Sequence, residues 1–221
     1  NYRLEANGIL SEVDEITPES LYNYYKTAFA EDELDLYVIG DLDEARVTQM
    51  SSEYFQFAER KPERVMHNKH DILEVKELKE TQDIKQGKLN IGYRTNITYG
   101  DRDYFALQMF NGIFGGFSHS KLFINVREKA SLAYYAASRL ESHKGLLMVM
   151  SGIDNKNYNQ AVTIIKEQME AMKKGEFSDQ EMEQTKAIIK NQLLETIDTS
   201  RGLTEVLYHN VVAAVDKPLD D

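Results

Sequence analysis

Apolar and polar positions follow several different rhythms along this chain, and the changes of rhythm divide it into elements. Thr17-Pro18-Glu19 sets a hydroxyl, a proline and an acid where a helix begins. Leu21, Tyr24, Tyr25 and Ala28 follow on one face, predicting a helix to about Phe29. Residues 34–39, LDLYVI, predict an apolar strand closed by Gly40. Asp41 to Asp43 then turn into a second helix with Val47, Met50, Tyr54 and Phe55 on one side. Residues 60–69 are polar, hold Pro62 and lack a period, which predicts a loop. Residues 72–84 read as an extended, charge-laced strand region, and residues 88–95 as another strand.

The second half has a different organisation. Residues 101–114 predict a helix with Phe105, Met109, Ile113 and Phe114 on its apolar side, ended by Gly115 and Gly116. Ser118 is placed to cap the next helix, which carries Leu122, Phe123 and Val126. Residues 132–140 and 146–153 predict two strands, joined by a five-residue polar link that suits a hairpin. Helical spacing then dominates: one helix around residues 161–172 stopped by Gly175, one capped by Ser178, and one starting near Ser200. Adjacent strand pairs demand antiparallel pairing, with the helices covering one face. The fold class is therefore α+β, an antiparallel-rich sheet with helices packed on one face, and not a doubly wound parallel sheet.

Composition narrows the chemistry. The chain has 221 residues, 42% of them hydrophobic, enough for a sizeable core. It has no apolar run of membrane-spanning length, so no membrane association is expected. Cysteine is absent, which excludes disulfides, thiol catalysis and zinc-thiolate sites and fits a cytoplasmic protein. The net charge is −11, and −9 of it lies in residues 1–62, where 14 acids face 5 bases. Such a segment argues against nucleic acid, whose affinity comes from phosphate neutralisation. It suits either a basic partner or a plain solvated face.

The richest stretch is residues 114–135, FGGFSHSKLFINVREKASLAYY. Arg127 and Tyr134 lie seven residues apart across a helix-to-strand corner, which can turn a cation and a phenol into one space. Both are donors toward a carbonyl oxygen gaining negative charge. Each also has a bland reading: Arg127 as a cation at a helix C-terminus, Tyr134 as cover for a sheet edge. Alternation puts Tyr135 on the other face of the strand, as packing. Gly115-Gly116 does not match a phosphate loop. Ser118-His119-Ser120 cannot form a catalytic set, because adjacent helical residues do not face one another. His119 is assigned no chemistry beyond a local role.

The FGG, REK and LAYY segments, with the opening ITPESLYNYYKTAF and LDLYVIGDLD, resemble the pitrilysin/insulinase family of zinc peptidases, which includes the mitochondrial processing peptidases. The likeness runs from about Ile16 to Asn210 and is to the second, zinc-free domain. It implies an α/β sandwich of the processing-peptidase type, with residues 1–15 a connecting tail and residues 16–221 the domain. It also implies that Arg127 and Tyr134 help hold the substrate carbonyl. The family's zinc motif, His-x-x-Glu-His, is missing here. Of the five histidines only His67 and His70 are close in sequence, with Asp71 a conceivable third ligand, and they lack that order. No cofactor is expected in this chain, and zinc is expected in a partner half. The implied partners are a zinc-bearing homologous domain or subunit and a peptide substrate, the isolated chain being inactive. The alternative is a structural or assembly subunit of the same fold.

Overall fold

The computed structural model describes residues 7–61, 69, 71–83 and 86–217. His67 and His70, and most of the loop predicted at 60–69, lie outside the described residues. The chain divides into two compact units, residues 1–66 and 67–221.

The first unit is helical, and its helices start where their caps dictate. Helix α1 is a single turn, Leu10–Val13. Helix α2, Pro18–Glu31, begins at Thr17, whose hydroxyl accepts the Ser20 N–H at 3.1 Å while Ser20 Oγ accepts the Thr17 N–H at 3.0 Å. Helix α3, Glu44–Tyr54, begins at Asp43, whose carboxylate accepts the Arg46 N–H. Residues 34–39 do not form the expected strand. A strand is defined by its backbone ladder, and no ladder forms on them among the described residues. Residues 72–83 of the second unit are likewise without a ladder, and Leu73 is 95% exposed.

The second unit holds the sheet. Strands β1, Gly87–Arg94, β2, Ala133–Glu141, and β3, Leu146–Ile153, pair antiparallel in the order β1-β3-β2. Register puts Leu89, Ile91 and Tyr93 beside Ser151, Val149 and Leu147, which in turn face Ala136, Ser138 and Leu140. That face is buried. Against it pack helix α4, Tyr104–Asn111, two π-helical segments, π1, Gly112–Gly116, and π2, Phe123–Lys129, and helix α5, Tyr158–Lys173. Ile113, Phe114, Leu122, Val126, Ile165 and Met169 fill the space between. The other face carries Met148, Met150, Gly152, Tyr135 and Ala137 and is only partly covered, with Gly152 buried and the methionines half-buried. The fold is thus mixed α+β, with an antiparallel sheet and peripheral helices.

Two further helices complete the unit. Helix α6, Asp179–Ile197, starts at a reciprocal cap between Ser178 and Glu181. Helix α7, Ser200–Ala213, follows Thr199, whose hydroxyl accepts the Gly202 N–H. The stop at Gly175 is left-handed, φ 74°, as a helix C-terminus favours. None of the described helices is long and apolar enough to cross a membrane.

Candidate functional site

The site is built on residues 111–135, where the chain runs from α4 through both π-helical segments into β2. Gly115 and Gly116 do not end α4 as left-handed caps. They lie within π1, neither with a positive φ. Their role is close approach. A Cβ on Gly115 would stand 2.5 Å from Ser138 Oγ and 2.7 Å from Leu122 Cδ1. The same sheet contact is pinned by Ser138, whose hydroxyl donates to Asn111 Oδ1 at 2.8 Å. The helical run that begins at Lys121 and leads into π2 is capped by Ser120 and not by Ser118: the Phe123 N–H donates to the buried Ser120 hydroxyl at 3.4 Å.

Arg127 stands in the last turn of π2, where a cation meets the C-terminal end of the helix dipole. Its guanidinium lies over the Phe123 ring, 4.6 Å from the centroid, and 3.7 Å from Glu128 Oε1. The side chain keeps 41% of its surface in solvent. Beyond it, Ser131 adopts φ 51°, and the Leu132 N–H donates back to the Val126 carbonyl at 3.1 Å. This tight reversal delivers the chain into β2, which packs against π2.

Tyr134 does not follow the pleat. Ala133 pairs with Ile153 and Tyr135 with Gly152, so Tyr134 is the extra residue of a β-bulge. Regular alternation would have aimed Tyr134 at the core side with Ala136 and Ser138. The bulge turns it out instead: it is 73% exposed, and its hydroxyl has no hydrogen-bond partner among the described residues. Tyr135 keeps the phase of Ala137, on the face away from Ala136 and Ser138, as alternation places it. Tyr135 lies over Gly152, where a Cβ would come within 2.5 Å of its ring. Arg127 and Tyr134 therefore sit on adjoining elements, both reaching solvent, with no hydrogen bond between them.

Sequence spacing gave no sign of the ties that hold this segment from behind. His119 Nε2 meets the Thr185 hydroxyl of α6 at 2.8 Å, so its role is not merely local. Lys121 Nζ meets Glu181 Oε1 at 3.3 Å, and Asn125 Nδ2 donates to Gln168 Oε1 of α5 at 2.9 Å. Burial alone would raise the Glu181 carboxyl. The Ser178 N–H and the Lys121 cation together hold it below the ordinary glutamate range. A second unforeseen pair joins the hairpin turn to α7: His143 Nε2 and His209 Nδ1 lie 2.7 Å apart, rings stacked beside Tyr99. Among the described residues no three His, Asp or Glu side chains are grouped to hold a metal ion. Asp71 is described, but its two candidate companions are not.

Residues 15–189 match the family model described as the peptidase M16 inactive domain. The chain is 59% identical to the "Probable inactive metalloprotease YmfF" of Bacillus subtilis (strain 168), over all of this chain and 52% of that protein. It is 23% identical to the "Uncharacterized zinc protease YmxG" of the same strain, over 83% of this chain and 45% of that protein. Among solved structures, a conserved protein from Enterococcus faecalis V583 superposes with a TM-score of 0.86 at 40% identity, over 95% of this chain and 49% of that one. The peptidase M16 inactive domain from Pseudomonas fluorescens shares the fold, with a TM-score of 0.67 at 18% identity over 98% of this chain and 52% of that one. The chain spans about half the length of these relatives.

Proposed function

Since the chain belongs to the M16 (pitrilysin) peptidase family and matches its inactive domain, we propose that it is the zinc-free half of a two-part peptidase. In this reading it contributes substrate-binding and transition-state-stabilising groups to a zinc-bearing homologous half. The observation that carries the proposal is the bulge at Tyr134. It takes a phenol out of the core phase and leaves its hydroxyl free, one tight reversal after the helix that carries Arg127 in its last turn.

The chemistry asked of this chain is donation. As a peptide carbonyl is attacked, its oxygen gains negative charge. A phenol O–H and a guanidinium N–H aimed at that oxygen are worth more at the transition state than before it. Neither group has to titrate. The zinc of the other half would supply the polarised water. Arg127 is held ready over Phe123, and Glu128 is a weak enough partner at 3.7 Å for the guanidinium to leave it.

The test is peptide turnover by the full-length protein or by the reconstituted halves. Tyr134→Phe removes one hydroxyl and keeps the ring. Turnover should fall by roughly 10²–10³ with unchanged melting. Arg127→Lys should also impair it, because a point charge does not reproduce the planar fork. Tyr135→Phe, over Gly152, serves as the control and should retain activity. Wild-type turnover in Tyr134→Phe sinks the assignment. A full-length wild type that binds zinc yet cleaves no peptide would instead return the chain to the second class, an assembly subunit.

A further inference from the structure

We infer that His119 and Thr185, with Lys121–Glu181 beside them, form a positioning clamp that sets the orientation of π2 and hence the aim of Arg127. This rests on the carbonyl-binding role proposed for Arg127 above. Its first support is the nature of π2 itself. A π-helical turn is rare, occurs mostly as a single-turn bulge and is frequent at functional sites, which draws attention to the contacts around it.

What holds it is specific. Glu181 and Thr185 are four residues apart on α6 and so lie on one face, one turn above the other. Lys121 and His119, just ahead of π2, reach those two residues respectively, at 3.3 and 2.8 Å. Two tethers fix rotation as well as distance, which one does not. Asn125 adds a third tether to α5, within π2 itself. Arg127 projects beyond these tethers into partial exposure.

The clamp also has little slack. Thr185 is fully buried. A Cβ on Gly112 would stand 2.4 Å from its methyl and 2.9 Å from Phe117 Cε2. The His119 ring is stacked on Phe117, centroids 5.8 Å apart. The backbone of π1, the Phe117–His119 stack and α6 thus meet at a single point. Losing the Thr185 hydroxyl leaves an imidazole nitrogen without its partner at that point, and the segment must shift to satisfy it. A shift near 1 Å at a reacting group is enough to cost ~10²-fold in rate.

The experiment uses the full-length protein with arginine side chains labelled at Nε. The Arg127 resonance, identified by its loss in Arg127→Lys, reports the guanidinium's place over the Phe123 ring. Thr185→Val keeps shape and removes the hydroxyl. Thr185→Ser restores it. Thr185→Val should move the Arg127 resonance and lower kcat about ten- to a hundredfold with KM little changed. Thr185→Ser should return both toward wild type. His119→Ala should resemble Thr185→Val. An unmoved Arg127 resonance in Thr185→Val overturns the inference, as does a Thr185→Ser that fails to restore it. If the wild type shows no turnover, the peptidase reading falls, while the resonance still decides whether the clamp aims Arg127.

Discussion

The two units of this chain are built from equally good local signals and end in opposite states. Helices α2 and α3 have well-formed caps, yet none of their residues is buried. In the second unit the sheet, α4, both π-helical segments and α5 enclose one continuous cluster, from Leu89 to Met172. Among the described residues the whole buried apolar core belongs to that unit. A cap can start a helix by itself, whereas only apolar surface removed from water can make the structure cooperative. The candidate site lies in the unit that has the core, where side chains can be held to a fraction of an ångström.

The largest test of this contrast is a matched pair of truncations. Phe114→Ala empties a fully buried position and should cost about 3–5 kcal/mol in urea denaturation. Leu21→Ala, on an exposed face of α2, should change stability by no more than about 0.5 kcal/mol. Comparable losses would show that the first unit has a core of its own.

A finer test removes the same kind of cap from each unit. Ser178→Ala breaks the cap of α6, whose Glu181 is also tied to Lys121, and should lower global stability by about 1 kcal/mol. Thr17→Ala should speed amide exchange within Pro18–Glu31 and leave the global transition where it was. A shift of the global transition by Thr17→Ala would join the two units in one cooperative block.

The smallest effect is a pH dependence confined to the second unit. The Glu181 carboxyl is held below its ordinary range in the folded state. Its contribution is therefore complete above the unfolded glutamate pKa and is lost as pH falls through the lower, native one. Melting curves of wild type and Glu181→Gln should differ at neutral pH and converge on acidification. A gap that widens in acid would reverse the sign and discard Lys121 as its partner.

What the sequence made legible follows from the same physics. The starts of α2 and α6 were readable because a cap is a matter of three residues. Strand β3 was readable end to end, its alternating burial bounded by a polar hairpin link. Residues 34–39 have a strand's composition but form no backbone ladder among the described residues, and a ladder is not a property of a single segment. Arg127 and Tyr134 were singled out as candidates by pattern, yet the bulge was not legible, since alternation assumes an unbroken pleat. His119 and Thr185 are 66 residues apart, as are His143 and His209. No spacing rule joins such residues before the fold does.

The bulge has one more consequence. Because residue 134 is supernumerary to the ladder, the phase of Ala136, Ser138 and Leu140 does not depend on which side chain it carries. Folding leaves that position free to drift. A tyrosine kept there through a lineage, where phenylalanine would serve the ladder equally, would record selection on its hydroxyl.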